Sequence, residues 1–443
     1  MKRKLLKQIA HEWRSNLWLT IELLIVSVVM WYVVDYLSIQ ATILNIPMSI
    51  DTENCFIVDL SRVPGDSPGR EPSDTTHETM ANSHRAIIDR LRTNPDVEGV
   101  GLLSYQSIPY TQNTNNIAIS QSDSPDSLMS SYMAHRKMSP EAIRVLRITG
   151  TNGESPDEIA DILSRDEWLL ASNVFLYSRQ LARDTTLTDE YWQQQYRNSL
   201  TSDKSFLIGA RFIGGGYHDS ISHRIGAVIP PLKRLEYEIP NGGLISKLDE
   251  GNDNDIIQSQ LIVRVKPEAF SRFEKETLAK SSTLYRAGNS YLSTVTSCDT
   301  MRETVQSEAS ETVRNFVVIM VFLMVSIFLG LLGTFWFRTQ QRVSEIAIRM
   351  VNGATRAMVF RRLIGEGLLL LGIATPFAVL CDWLLCHYEM NNCIYGWDFF
   401  DPARFTATVA ITFTLMALMI VAGIWFPANK AMKTEPAIAL KDE

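Results

Sequence analysis

Few side chains in this 443-residue chain have types and spacing that could do chemistry. His218 and His223, in HDSISHR, invite a metal reading, but a spacing of five beside a Gly-rich turn suits surface polar residues better. The acidic run 249–255, DEGNDND, is only loosely a calcium loop, since the sixth-position Gly and the terminal Glu are missing, and it reads as a solvated loop. The chain has no nucleophile elbow, HExxH or CxxC, and no Gly-Lys dipeptide, so it lacks the Walker A cradle that binds nucleotide phosphates. Glu22 and Glu366 fall inside apolar runs, where a carboxylate is expensive. Each lies within about two helical turns of a basic flank, so pairing with an arginine is expected rather than a proton relay. Asp35 and Asp382 lie toward the opposite ends of their runs.

The densest polar signal is the stretch 342–363, RVSEIAIRMVNGATRAMVFRRL, which is basic and amphipathic and sits between two very apolar segments. As a helix over 342–352, Arg342 and Arg349 share a face and Glu345 can pair with Arg349 at i, i+4. Asn352-Gly353 can end that helix in a left-handed conformation, Ala354 and Thr355 turn the chain, and a new helix begins at Arg356.

The elements that must position this elbow are plain in the hydropathy. Residues 17–36, 316–337, 363–386 and 406–426 are each long enough to cross a hydrocarbon core of roughly 30 Å as helices. Lys2, Arg3, Lys4, Lys7 and Arg14 precede the first run, and Arg338, Arg342, Arg349, Arg356, Arg361 and Arg362 lie between the second and third. The loop 387–405 has only Arg404 against Glu389, Asp398 and Asp401. The positive-inside rule then predicts both termini and the elbow on the cytoplasmic side and residues 37–315 outside. That outer segment has 27 Lys and Arg against 37 Asp and Glu, an acidic balance that excludes nucleic acid as a partner. A basic start before an apolar run also describes a cleaved signal. Here the run is long, holds Trp31, Tyr32 and Tyr36 near its outer end and lacks a small-x-small site, so a retained anchor is expected. Residues 1–16 place Leu5, Ile9 and Trp13 on one face, as in an interfacial helix.

Within the outer segment, NCFIVDL, SHRAIIDRLRTNPDV and VGLLSYQSI read as strand, helix with Ala86, Ile87 and Leu91 inward, and strand. QLIVRVKPEAFSRFEKETLAK and NSYLSTVTS repeat the order near its end, with Pro267 in a first helical turn. Two β-α-β units about 150 residues apart suggest a split α/β domain with an insert. In the insert, AIRVLRITG, SFLIGARFIG and HRIGAVIPPL read as strands, DEYWQQQYRNSL as a helix and NGGLISKLDEGNDND as loop. SPGREPSDTT, 67–76, reads as a mobile loop. Thr300 and Glu303 have capping-box spacing, and Met301, Val305, Ala309 and Val313 form a stripe running into Phe316, which predicts one helix over 300–337. Residues 36–46 can extend the first span outward until Pro47 stops it. Cys381 and Cys386 read as apolar filler in the third span. Cys55, Cys298 and Cys393 face an oxidising compartment if the cell is Gram-negative, and a Cys55–Cys298 bridge stays open without a paired spacing to support it.

SEIAIRMVNGATRAMVFRRLIGEGLLLLG resembles the cytoplasmic signature of the MacB/FtsX/LolC-type ABC transporter permeases, matching at Glu345, Ile346, Ile348, Arg349, Gly353, Ala354 and Glu366. Ala347, Met350 and Asn352 depart from it, and Pro436, Ala439 and Leu440 resemble the family's ending. The resemblance implies an α-helical membrane domain of four transmembrane helices plus a large extracytoplasmic α/β, porter-like domain with an inserted mixed α/β subdomain. The expected division is 1–16 interfacial helix, 17–36 first span, 37–315 external domain, 316–337 second span, 338–362 coupling loop, 363–386 third span, 387–405 external loop, 406–426 fourth span and 427–443 tail. The external part divides further into porter-like 48–110 and 258–299, insert 111–257 and stalk 300–315.

The resemblance further implies a non-catalytic permease subunit of a bacterial inner membrane that works with a second permease copy, a separate ABC ATPase, a periplasmic adaptor and membrane lipids. No cofactor is expected in this chain, since ATP and Mg would be bound by the partner ATPase. Glu345, Ile346, Arg349, Gly353, Ala354, Thr355 and Arg356 would form the coupling contact, Glu22 and Glu366 would be intramembrane polar residues, and motion would pass through the stalks to the external domain. The alternative is a membrane-anchored sensor or regulator, such as one controlling a cell-wall hydrolase, without transport.

Overall fold

The computed structural model describes residues 13–433 except 106, 108, 112, 123–128, 179–183, 185, 215–220, 241, 342–347, 349, 350, 352 and 395–397. The chain divides into two compact units, Ile46–Glu308 and a second comprising residues 1–45 and 309–443.

The first unit begins with a split β-α-β layer. Strands β1 (Cys55–Arg62), β2 (Val97–Ser104), β10 (Ser259–Val265) and β12 (Ser290–Ser297) pair antiparallel in the order β12-β1-β10-β2, with α2 (His77–Arg92) and α7 (Phe270–Ala279) as the crossovers. Both faces of the sheet are covered, which is why NCFIVDL reads as a continuous apolar run rather than an alternating one. Phe56 and Val58 pack with Ile87, Leu91 and Phe273 on one side. Cys55 and Ile57 pack on the other against α3 (Pro140–Val145) and α4 (Pro156–Ser164) through Ala142, Ile143 and Ile159. Ala86 is only half-buried, and Ala81, His84 and Ile88 complete the buried face of α2. Gly101 of β2 allows the close approach to α3, for a Cβ there would lie 2.4 Å from Ala142 Cα and 2.5 Å from its backbone nitrogen. Backbone cannot step aside as a side-chain tip can, so Gly101→Ala should destabilise the protein by about 3 kcal/mol or more. A denaturant melt of the purified protein followed by tryptophan fluorescence checks it.

The insert holds both helices and strands, as the expected mixed α/β subdomain would, and its strands have a closed arrangement. Strands β4 (Met129–Met138), β3 (Asn115–Gln121), β7 (Arg211–Gly214), β8 (Ser222–Ile229), β5 (Trp168–Ala171) and β9 (Gly243–Lys247) pair in that order, and β9 returns to β4, so the six strands form a closed ring. Ile119, Met133, Trp168, Phe212, Ile225 and Leu244 belong to its core. Closure leaves these six strands no free edge. A single residue pair, Leu103 with Met138, joins the ring to the four-stranded layer.

Three expectations for the insert are corrected. AIRVLRITG is not a strand, because Ser139 caps and Pro140 opens α3 there, and these start signals outweigh its β-branched residues. In SFLIGARFIG, Ser205–Leu207 makes a 3-10 turn and only Arg211–Gly214 is strand. NGGLISKLDEGNDND holds strand β9 and the short helix α6 (Asp253–Ile257), whose N-cap Asn252 accepts from Asn254 and Asp255 backbone N–H groups.

The loop 67–76 is pinned rather than mobile. The buried Asn289 donates from Nδ2 to the Glu71 and Asp74 carbonyls and accepts at Oδ1 from Glu71 N–H, while its own N–H donates to Asp74 Oδ2 at 2.6 Å. That backbone hydrogen bond holds the Asp74 carboxyl below the usual range against its partial desolvation, helped by the Thr79 hydroxyl and Arg62.

The expected single helix over 300–337 is two. Ser297, not Thr300, is the N-cap of α8 (Cys298–Val305), accepting from Thr300 N–H at 3.1 Å, and α9 (Ser307–Gln341) starts after Gln306. At the break Ser307 Oγ donates to the Thr304 carbonyl at 2.8 Å, the kind of local bond that competes with helix continuation.

In the second unit α1 (Trp13–Asn45), α10 (Arg356–His387) and α11 (Pro402–Lys433) pack together through Leu19, Leu23, Met30, Leu371, Ala374, Met416 and Ile420. α9 meets α1 through a stack of Phe316 on Tyr36, ring centroids 4.0 Å apart, and through Ile327. It leaves Val318, Val321, Phe322, Val325 and Leu329 exposed. All four helices contain stretches long and apolar enough to cross a membrane: 17–45, 307–330, 357–387 and 402–425.

Candidate functional site

The turn between α9 and α10 is partly described. Glu345, Ile346 and Arg349 lie outside the described residues, as do the N-terminal segment 1–12, His218 and the C-terminal ending 434–443. Gly353 has φ +90, a left-handed conformation that favours glycine, and is exposed. Ala354 packs against the helical core, and Thr355 is the N-cap of α10, its Oγ1 accepting from Met358 N–H at 3.3 Å. Arg356 opens that helix. Ile348 and Val351 are helical and expose half and two thirds of their surface, so the elbow presents apolar residues. Val351 was missed as a site candidate, although its place three residues beyond Ile348 puts both on one helical face.

Two of the buried carboxylates, Glu366 and Asp35, have basic partners. Glu366 sits one turn from Arg362, with Oε1 3.5 Å from Nε. Glu22 lies where a Cβ on Gly330 of α9 would be, 2.9 Å from its Oε1. Asp35 is the centre of a polar knot joining α1, α11 and the loop 388–401. Arg404 donates from Nε to Asp35 Oδ1 at 3.1 Å and from Nη2 to the Phe399 carbonyl at 2.8 Å. Asn391 donates to Asp35 Oδ2 at 3.1 Å and to the same Phe399 carbonyl at 2.9 Å. Trp31 Nε1 donates to Thr408 Oγ1 at 3.0 Å, and the Asp382 side chain is buried in α10. Arg404 had been read only as a loop charge and Asn391 not at all, because no local pattern tells which loop residue folds back onto a helix end.

Hydrolytic chemistry finds no support. His135 Nε2 and Ser246 Oγ are 2.7 Å apart on adjacent strands, but Ser246 is buried. Burial, with Lys137 nearby, pushes His135 down to about 4, too weak a base to take a proton from serine at neutral pH. The pentapeptide 65–69, GDSPG, has G-x-S-x-G spacing, yet it lies in the loop after β1 with no helix until His77, so it is no nucleophile elbow. His223 stacks on Trp168 with centroids 4.4 Å apart and meets Asp166 at 3.5 Å, which accounts for it without a metal. Among the described residues no group of three or more His, Cys, Asp or Glu could hold a metal ion.

Four apolar helices together with a large α/β unit define an integral membrane protein with a soluble domain. Residues 317–436 match the model of the FtsX-like permease C-terminal family. That match places the segment 317–436 with the FtsX-like permeases, a family generally without catalytic activity of its own. No curated protein matches it. A solved structure described as a domain of a permease protein from Porphyromonas gingivalis is 13% identical, covers 55% of this chain and 90% of its own, and has a TM-score of 0.28, too low to bear on the fold.

Proposed function

We propose that this chain is the membrane subunit of an ATP-driven machine, seated through the elbow 345–356 on a separate ABC ATPase that binds ATP and Mg, and working as a pair with a second permease copy. Both termini and the elbow face the cytoplasm, the unit 46–308 faces outward, and the membrane is a bacterial inner membrane. Movement of the elbow is passed along the long helices to the external, porter-like domain, where substrate is exported or extracted, with a periplasmic adaptor as a further partner.

The observation that carries this reading is the elbow itself. A left-handed Gly353 and a capped Thr355 set a sharp turn beside exposed Ile348 and Val351, in the stretch that also holds Arg349 and Arg356. Exposed apolar residues in a stretch whose sequence also carries arginine suit a protein contact. The uncovered apolar face of α9 suits lipid or the second copy. Purification in mild detergent should bring down an ABC ATPase in near-stoichiometric amount. A clean preparation without one would favour a sensor or regulator that works without transport.

A further inference from the structure

We propose that Cys55 and Cys298 are joined by a disulfide in the mature protein, closing the external domain at the point where the chain enters and leaves it. The pairing of β1 with β12 runs Phe56 with Ser297, Ile57 with Thr296 and Val58 with Val295. Carrying that register one step back sets Cys55 opposite Cys298. Both side chains are buried, at 0% and 1% exposure, and belong to the same core cluster as Ile57, on the same face of the sheet. Directly opposed residues of an antiparallel pair have Cα atoms about 4.5 to 5.5 Å apart, inside the range a disulfide spans. Both are free thiols in the structure, and Cys55 Sγ makes a weak 3.5 Å contact to the Glu53 carbonyl.

The position gives the bond a purpose. Cys55 begins β1, ten residues after α1 ends at Asn45, and Cys298 is the first residue of α8, which leads into α9. Met48 and Ile50 from the first root and Met301 and Val305 from the second pack on the same cluster. A covalent tie there makes the two roots of the domain a single piece, so a displacement arriving at one is not lost by strand β1 sliding against β12.

The bond forms by loss of two protons and two electrons from the two thiols. A protein disulfide of the extracytoplasmic compartment accepts the electrons and becomes a dithiol. Burial raises the Cys55 thiol to about 12 and Cys298 higher still, so neither ionises readily once packed. Oxidation therefore precedes closure of the core, during export and folding.

The proposal rests on the outward placement of residues 46–308, and the test separates the two. The full chain, with Cys381, Cys386 and Cys393 replaced by alanine, is denatured in cell membranes with N-ethylmaleimide present, then reduced and treated with a polyethylene-glycol maleimide. Two added polymer chains after reduction and none without it are expected, with Cys55→Ala leaving one thiol already blocked. Both thiols blocked before reduction would overturn the disulfide. In parallel, Lys275→Cys, exposed on α7, is treated on intact spheroplasts with an impermeant maleimide. Labelling there with both native thiols free sinks the disulfide alone, whereas protection of Lys275→Cys sinks the topology and the disulfide with it.

Discussion

Reversing the charge at both Arg349 and Arg356 should reduce the ATPase recovered with the permease at least tenfold, and Val351→Asp alone should do nearly as much. Arginines at the centre of a protein contact are worth on the order of 2 kcal/mol each when truncated, and reversal adds like-charge repulsion against a surface selected for a cation. Val351 is two thirds exposed on the elbow, so a carboxylate there costs the free permease little and is felt only where a partner covers it. Recovery is read by quantitative immunoblot against permease amount, with melting of the permease as the control. Unchanged recovery with all three substitutions would remove the elbow from the contact.

Breaking the polar knot should have the second largest effect. Asp35 and the Arg404 side chain are almost fully buried and paired at 3.1 Å, Asn391 donates to the second Asp35 oxygen, and the Phe399 carbonyl accepts from Arg404 Nη2. Removing one charge leaves the other uncompensated, at a cost of about 3 to 5 kcal/mol, whereas removing both with apolar residues of similar volume is often close to neutral. Arg404→Met should therefore melt far below the unsubstituted protein in detergent, and the double variant Asp35→Leu with Arg404→Met should recover most of the loss. A double variant no better than the single would mean that the arginine acts through packing alone. The knot ties α1, α11 and the loop 388–401 together. α9 meets this body through Phe316 and Ile327 and keeps an uncovered apolar face.

What could be read in the residues follows the range of the forces involved. The four long apolar helices and β1, α2, β2, β10, α7 and β12 are each announced by local hydropathy, though α2 runs over His77–Arg92 from a Thr76 cap, starting six residues before the 83–97 read for it. Short elements were harder. In 142–150 the apolar residues suit strand or helix, and Ser139-Pro140 decides it. In NGGLISK glycines read as loop, yet Gly243 begins β9 and pairs with Ala134 of β4. Ring closure, the Asn289 clasp on loop 67–76 and the Arg404–Asp35 pair join residues more than a hundred, two hundred and three hundred positions apart respectively, and no periodicity signals them. For the coupling residues the reverse holds, since their motif is legible in SEIAIRMVNGAT while the side chains of Glu345, Ile346 and Arg349 lie outside the described residues.

The account turns on which side of the membrane holds the elbow. Val351→Cys, tested against the unsubstituted protein with an impermeant maleimide, should label in inverted membrane vesicles and stay unlabelled on intact spheroplasts. Labelling from the spheroplast exterior would put the elbow on the side away from any ATP supply and contradict the mechanism.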